Sequence, residues 1–128
     1  MIIAVLFVSI ACPGPSGAGR IATGVWGGEH VRLTVEGSGA AIEFDCAHGR
    51  VEEPIVLDGA RHFDARGVFV RERGGPVREG DVEDAKPARY MGTVKGDAMT
   101  LTVTPESGED LGPFFLTKGS SARLLKCL

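Results

Sequence analysis

Asparagine and glutamine are both absent from this 128-residue chain. Without Asn there is no N-glycosylation acceptor, and tight turns must use pairs other than Asn-Gly. Aromatic side chains are few, with six Phe, one Tyr and one Trp, so each one buried is a large part of the core. Neither charge dominates: 14 basic and 17 acidic side chains leave a formal net charge of −3. No basic stripe exists, and nucleic acid is excluded as an expected partner. The leading apolar run, Met1 to Ala11, is too short for a membrane-spanning helix of about 20 residues. Downstream of residue 20 no stretch carries a 3.6-residue hydrophobic period with caps, so no ordinary helix is expected. Glycine, by contrast, is abundant at 19 residues, as a chain with many tight turns requires.

The clearest pattern lies in Arg89 to Thr104. A two-residue turn at Gly96-Asp97 pairs Lys95 with Ala98, Val94 with Met99, Gly92 with Leu101 and Tyr90 with Val103. That register puts every large apolar side chain except Met91 on one face and the threonines on the other. Gly at the first turn position favours a type II′ turn, whose twist matches the strands.

The same rhythm extends upstream. Ile21 to Trp26 reads as a first strand ended by Gly27-Gly28. A turn at Ser38-Gly39 pairs Val35 with Ile42, Leu33 with Phe44 and Val31 with Cys46, and His48-Gly49 reads as the next turn. Val51 to Leu57 reads as a strand interrupted by Pro54. Asp58-Gly59 is a turn signal. Arg61 to Arg73 is a long strand with Phe63, Ala65, Gly67 and Phe69 on one face, and Gly67 suggests a bend. Residues 74–87 are charged, hold two prolines and read as an exposed loop. Leu111 to Lys118 and Ala122 to Leu128 read as a last hairpin through Gly119-Ser120-Ser121. Eight or nine short strands joined in order point to an all-β, up-and-down meander barrel of about eight strands, with a sandwich as the alternative.

Met1 to Ala11 has the length of a signal-peptide core, and Ser9-Ile10-Ala11 supplies small residues for cleavage before Cys12. No Lys or Arg precedes the run. Residues 1–20 are therefore expected to be signal peptide and spacer, with one domain over 21–128. The expected location is secreted or periplasmic, with the membrane as a partner only if Cys12 is lipidated. Once Cys12 is set aside, Cys46 and Cys127 are the remaining thiols. In an oxidising compartment their pairing is the economical reading, and two buried free thiols the alternative.

Thr23-Gly24-Val25-Trp26-Gly27 resembles the Gly-x-Trp opening of calycin barrels, the lipocalin and avidin-like group. The resemblance implies that Trp26 closes one end of the barrel against a basic side chain from the last strand, Arg123 or, second, Lys126. The extra Trp residues and inward polar set of avidin-type biotin sites are missing. Phe44-Asp45-Cys46-Ala47 together with Cys127 also resembles small, uncharacterised exported bacterial proteins.

Chemistry is sparsely written in the chain. His30, His48 and His62, with Asp45 and Asp64 nearby, lack any metal-ligand spacing, so neither a metal nor a cofactor is expected. No acid-base or nucleophile set stands out, so an enzyme is not expected. Glu52-Glu53 reads as a solvated strand edge; the alternative, from the parity Glu53 shares with Ile55 and Leu57, is a lone polar group facing a ligand site, with Phe44, Phe63, Phe69 and Tyr90 as apolar lining. The first functional expectation is an exported barrel holding one small apolar ligand, and a solidly packed barrel is the alternative. The second is a protein-interaction or protease-inhibitor-like module acting through loop 74–87.

Overall fold

The structure, a computed structural model, describes residues 19–72, 85–106 and 108–127. The expectations placed on residues 1–18, on Cys12 and on most of the charged loop lie outside the described residues.

Strands β1 (Gly19–Arg20), β2 (Gly24–Gly28), β3 (Val31–Glu36), β4 (Gly39–Phe44) and β5 (Ala47–Val51) are followed by β6 (Val56–Leu57), β7 (His62–Arg71), β8 (Ala85–Lys95), β9 (Ala98–Pro105) and β10 (Leu111–Lys118). Eight of them form a closed antiparallel barrel in the order β10-β2-β3-β4-β5-β7-β8-β9, and β1 pairs with β6 outside it. This is the up-and-down meander, and the sandwich alternative is set aside.

The β8–β9 hairpin has the expected register, from Lys95↔Ala98 to Tyr90↔Val103. Gly96 takes φ 58° while Asp97 is not among the positive-φ residues, as a type II′ turn demands. The β3–β4 hairpin differs. Its turn is Gly37-Ser38, so Leu33 faces Ile42 and Val31 faces Phe44. Slipping by two residues keeps every side chain on its face, so alternation alone does not distinguish the two registers. The neighbour does, because a Cβ at Gly39 would lie 2.0 Å from the Val51 carbonyl oxygen. Only glycine fits there, inside the strand.

His48-Gly49 is not a turn either. Both residues belong to β5, and the reversal is made by Asp45-Cys46 with Cys46 at φ 53°. Val51 ends β5, and only Val56–Leu57 of the expected strand around Pro54 is extended. Asp58 does make its turn, accepting the Ala60 and His62 amides at 2.9 Å. The His62 amide is the main reason its carboxyl lies below the usual range, against desolvation that acts the other way. Residues 85–87, expected in a loop, already pair with β7. Ala122–Cys127 contains no strand and makes no last hairpin.

Among the described residues twenty-three hydrophobic ones are buried, and no polar or charged side chain is. Trp26, Tyr90, Leu33, Ile42, Leu101 and Leu116 are the largest fully buried side chains, and they fill the middle of the lumen. Filling of this kind is what an eight-stranded barrel accommodates. One end is lidded. Gly19↔Leu57 and Arg20↔Val56 pair there, the Ile21 amide donates to the Ile55 carbonyl at 3.2 Å, and Ile21, Ile55 and Leu57 are buried. Ile21 therefore belongs to the lid, and the first barrel strand starts at Gly24.

Gly67 does not break β7, which runs unbroken through it. Its bare position leaves room for the Arg50 carbonyl oxygen, 2.2 Å from where a Cβ would lie, and for Tyr90. A Cβ at Gly67 would approach the Tyr90 ring to 3.0 Å, and one at Gly49 would lie 2.0 Å from the Tyr90 hydroxyl. Between these two bare positions the hydroxyl donates to the Val68 carbonyl at 2.6 Å. Gly49→Ala should destabilise the domain by about 2 kcal/mol or more through overpacking, whereas Gly37→Ala, with nothing within 4 Å of its new Cβ, should change stability by less than about 0.5 kcal/mol. Urea unfolding of the pair checks this.

Burial raises the Tyr90 phenol above its ordinary value. A folded-state pKa above the unfolded one means stability that is full below about pH 10 and lost as pH rises beyond it. Because Tyr90 is the single tyrosine, phenolate absorbance reports this group alone. The absorbance should stay silent in the folded protein near pH 10 and appear only with unfolding, and Tyr90→Phe should flatten the alkaline loss of stability.

Candidate functional site at the open end of the barrel

Opposite the lid, the barrel end is formed by the β2–β3 turn (Glu29-His30), the β4–β5 turn (Asp45-Cys46), the starts of β8 and β10, and the ends of β7 and β9. A cavity of about 250 Å3 opens here. Its wall is apolar: Phe44, Phe69, Phe114, Leu111 and Ala47. Its rim is polar: His30, Asp45 and Arg71, with Cys46 between them. The Phe44 ring stands 5.7 Å from Phe69 and 5.3 Å from Phe114, tilted by 53° and 45°. Tilted aromatic contacts at this spacing are favourable.

Phe114 and Leu111 reach this wall through an irregularity. Leu111 pairs with Val103 and Phe114 with Leu101, with a register shift between them. Two lumen-facing residues three positions apart break the two-residue period, which a bulge permits. Gly112, at φ 101°, supplies the backbone freedom. The bulge turns Phe115 outward, where it is 68% exposed. Strand parity alone groups Leu111 with Phe115, so sequence reasoning missed Phe114. The Gly112-Pro113 pair is the signal that marks the break.

The C-terminal residues run outside the barrel from the lidded end to the open end. Gly119 donates its amide to Val25, and a Cβ at Gly27 would lie 2.1 Å from the Ser120 carbonyl oxygen, so the segment lies directly on bare backbone. The Arg123 amide donates to Gly28 at 3.1 Å and its carbonyl accepts the His30 amide at 2.8 Å. The Leu125 amide donates to Asp45 Oδ1 at 2.6 Å, while Asp45 Oδ2 faces His30 Nδ1 at 2.5 Å. Lys126 Nζ donates to the Phe44 and Ala47 carbonyls at 3.0 and 3.2 Å and to Glu72 Oε2 at 2.9 Å. The same Glu72 oxygen lies 2.9 Å from His48 Nδ1. Burial pushes the Glu72 carboxyl up, but Lys126 and His48 outweigh it and hold the group below the usual range. Cys127 closes the arrangement as a disulfide to Cys46, Cα atoms 4.9 Å apart across 81 residues of sequence.

Among the described residues three non-glycine ones take positive φ: His30 at 69°, Cys46 at 53° and Arg61 at 60°. Such backbone costs on the order of 1 kcal/mol. His30 and Cys46 stand at this open end, and both hold the C-terminal segment.

The residues expected from sequence divide as follows. Phe44 and Phe69 line the cavity. Phe63 and Tyr90 are buried in the lumen filling, not in the cavity wall. Glu53 is exposed and accepts the Arg66 amide at 2.9 Å. The parity that aimed Glu53 inward does not hold, because β5 ends at Val51 and the chain bends at Glu53. Trp26 is 1% exposed, and its Nε1 donates to the Ala22 carbonyl at 3.3 Å, toward the lidded end. Arg123 does not stack on it: the Arg123 side chain is 83% exposed and points to Glu29 at 3.6 Å. Lys126 reaches the open end instead. Among the described residues no three His, Cys, Asp or Glu side chains gather as metal ligands. The rest of loop 74–87 lies outside the described residues.

A larger groove of about 580 Å3 runs on the outside between the C-terminal segment and the faces of β2, β3 and β4. The Arg32–Glu43 ion pair lies across its floor. That groove is the gap left beside a segment laid over a sheet, and its side chains converge on no point.

Comparison of the chain with protein-family models, with curated proteins and with solved structures gives no match.

Opening the disulfide should loosen the β4–β5 turn together with the C-terminal segment. Cys127→Ser should cost about 2–4 kcal/mol of stability. Hydrogen exchange should then speed up at the Leu125 and His30 amides, while the β8–β9 hairpin stays protected.

Proposed function

We propose that this protein is an exported, calycin-like binding module, not an enzyme, that takes one small apolar group into the open end of its barrel. The observation that carries this reading is the three-phenylalanine cavity at the mouth of an otherwise filled lumen. Barrel mouths with apolar walls and a few polar groups are a common setting for small-molecule sites. Two further features support it. Backbone strain is concentrated at His30 and Cys46, on the cavity rim, and strain of this kind clusters at functional sites. The Cys46–Cys127 pairing suits an oxidising compartment, which agrees with the apolar leader of residues 1–11.

The cavity volume limits the guest to a single ring or a short branched chain. Titration of the isotope-labelled protein with benzyl alcohol tests the reading by NMR. Shift changes should saturate and should centre on Phe44, Ala47, Phe69, Leu111 and Phe114. Leu111→Trp, which fills the mouth from its rim, should abolish them. Shifts absent at millimolar probe, or scattered over the outer faces, would remove the proposal.

A further inference from the structure

The apolar wall says what body the guest has; the rim says what charge. Along β7 the lumen-facing positions are Phe63, Ala65, Gly67 and Phe69. The same alternation brings Arg71, the last residue of the strand, over the mouth. Arg71 lines the cavity and pairs in register with Ala47, another residue of its wall. Among the described residues its guanidinium has no ion-pair or hydrogen-bond partner.

The acid on the same rim is already occupied. One oxygen of Asp45 faces His30 and the other accepts the Leu125 amide. Lys86 pairs in register with Phe69 and shares lumen parity with Ala88 and Tyr90, which adds a second cationic position at this end, where it already engages a neighbour. On the β9–β10 connection, Glu106, Glu109 and Asp110 are exposed or at its edge, and Asp110 takes the Thr104 hydroxyl on the outer face.

We infer that the mouth selects a small organic anion, with an aromatic or branched aliphatic body among Phe44, Phe69 and Phe114 and a carboxylate on Arg71. This inference rests on the mouth being a binding cavity. A guanidinium presents two parallel N–H donors that match the two oxygens of a carboxylate. Placed beside an apolar wall, that pair forms next to low-dielectric surface and is screened less than one in open water. The apolar body and the charged head then bind side by side, and neither is left without a partner.

The test compares 3-phenylpropanoate with its neutral amide on the full, disulfide-bonded protein, followed by NMR titration at low salt. The acid should bind about tenfold tighter than the amide, the factor expected for one charge-assisted pair. The preference should narrow as salt is raised to about 0.5 M. Arg71→Gln should bring acid and amide to the same affinity, and Arg71→Lys should restore only part of the difference. Arg66→Gln, on the outer face of β7, should keep the full preference. Equal affinities for acid and amide in the native protein, or a preference that survives Arg71→Gln, would overturn the anion assignment and leave the apolar mouth standing. Binding of neither compound would overturn the mouth as well.

Discussion

Three residue pairs join β10 to β2: Leu116↔Gly28, Thr117↔Gly27 and Lys118↔Trp26. This short seam closes the sheet, and the rest of the molecule depends on it. An open sheet of these strands would expose two unpaired edges, and it would leave Trp26 and Leu116, each 2% exposed or less, at a margin instead of inside. The seam is made possible by bare backbone. A Cβ at Gly28 would lie 2.0 Å from the Phe115 carbonyl oxygen, and one at Gly27 would strike the Ser120 carbonyl. The Trp26-Gly27-Gly28 run thus supplies the largest core side chain and, directly after it, the two positions where chain packs on chain.

Closure also makes the two ends unequal. The long path from β5 to β7 folds back as β6, meets β1 and covers one end with Ile21, Ile55 and Leu57. At the other end the two-residue β2–β3 and β4–β5 turns border the mouth. The C-terminal segment, once it has left the seam, lies outside the barrel and is tied down at that mouth by Asp45, Glu72, two carbonyls and a disulfide. The Cys46 turn is therefore held from both sides, by the β4–β5 ladder and by the chain terminus. Non-glycine residues at positive φ persist where the surroundings over-determine them, and His30 and Cys46 meet that condition.

Alternation of side chains along the strands determined much of this. It specified an all-β meander, the inward identity of Leu33, Ile42, Phe44, Phe63, Phe69, Tyr90, Leu101 and Val103, and the β8–β9 register, where Gly96-Asp97 offers one turn that satisfies both pattern and chirality. The pairing of Cys46 with Cys127 was the economical reading once Cys12 was set aside. Each of these is a local or arithmetic property, so it can be read before any strand meets its neighbour.

Tertiary structure alone decided the rest, because the deciding contacts are between segments far apart in sequence. The β3–β4 register was settled by Val51 pressing on Gly39, since a two-residue slip leaves the pattern unchanged. Gly49 was withdrawn from a turn because Tyr90 needs its space. Arg123 left Trp26 for Glu29, and Lys126 took the carbonyls of Phe44 and Ala47, because the last segment crosses the outside of the barrel and is not a strand. Glu53 lost its inward aim where β5 ends and the chain bends, and Phe114 gained one where Gly112 breaks the period of β10. The candidate site draws on such exceptions to alternation, at turns and a bulge, which is why the sequence by itself determined the strands and their inward faces while only the tertiary structure closed the barrel and brought its mouth together.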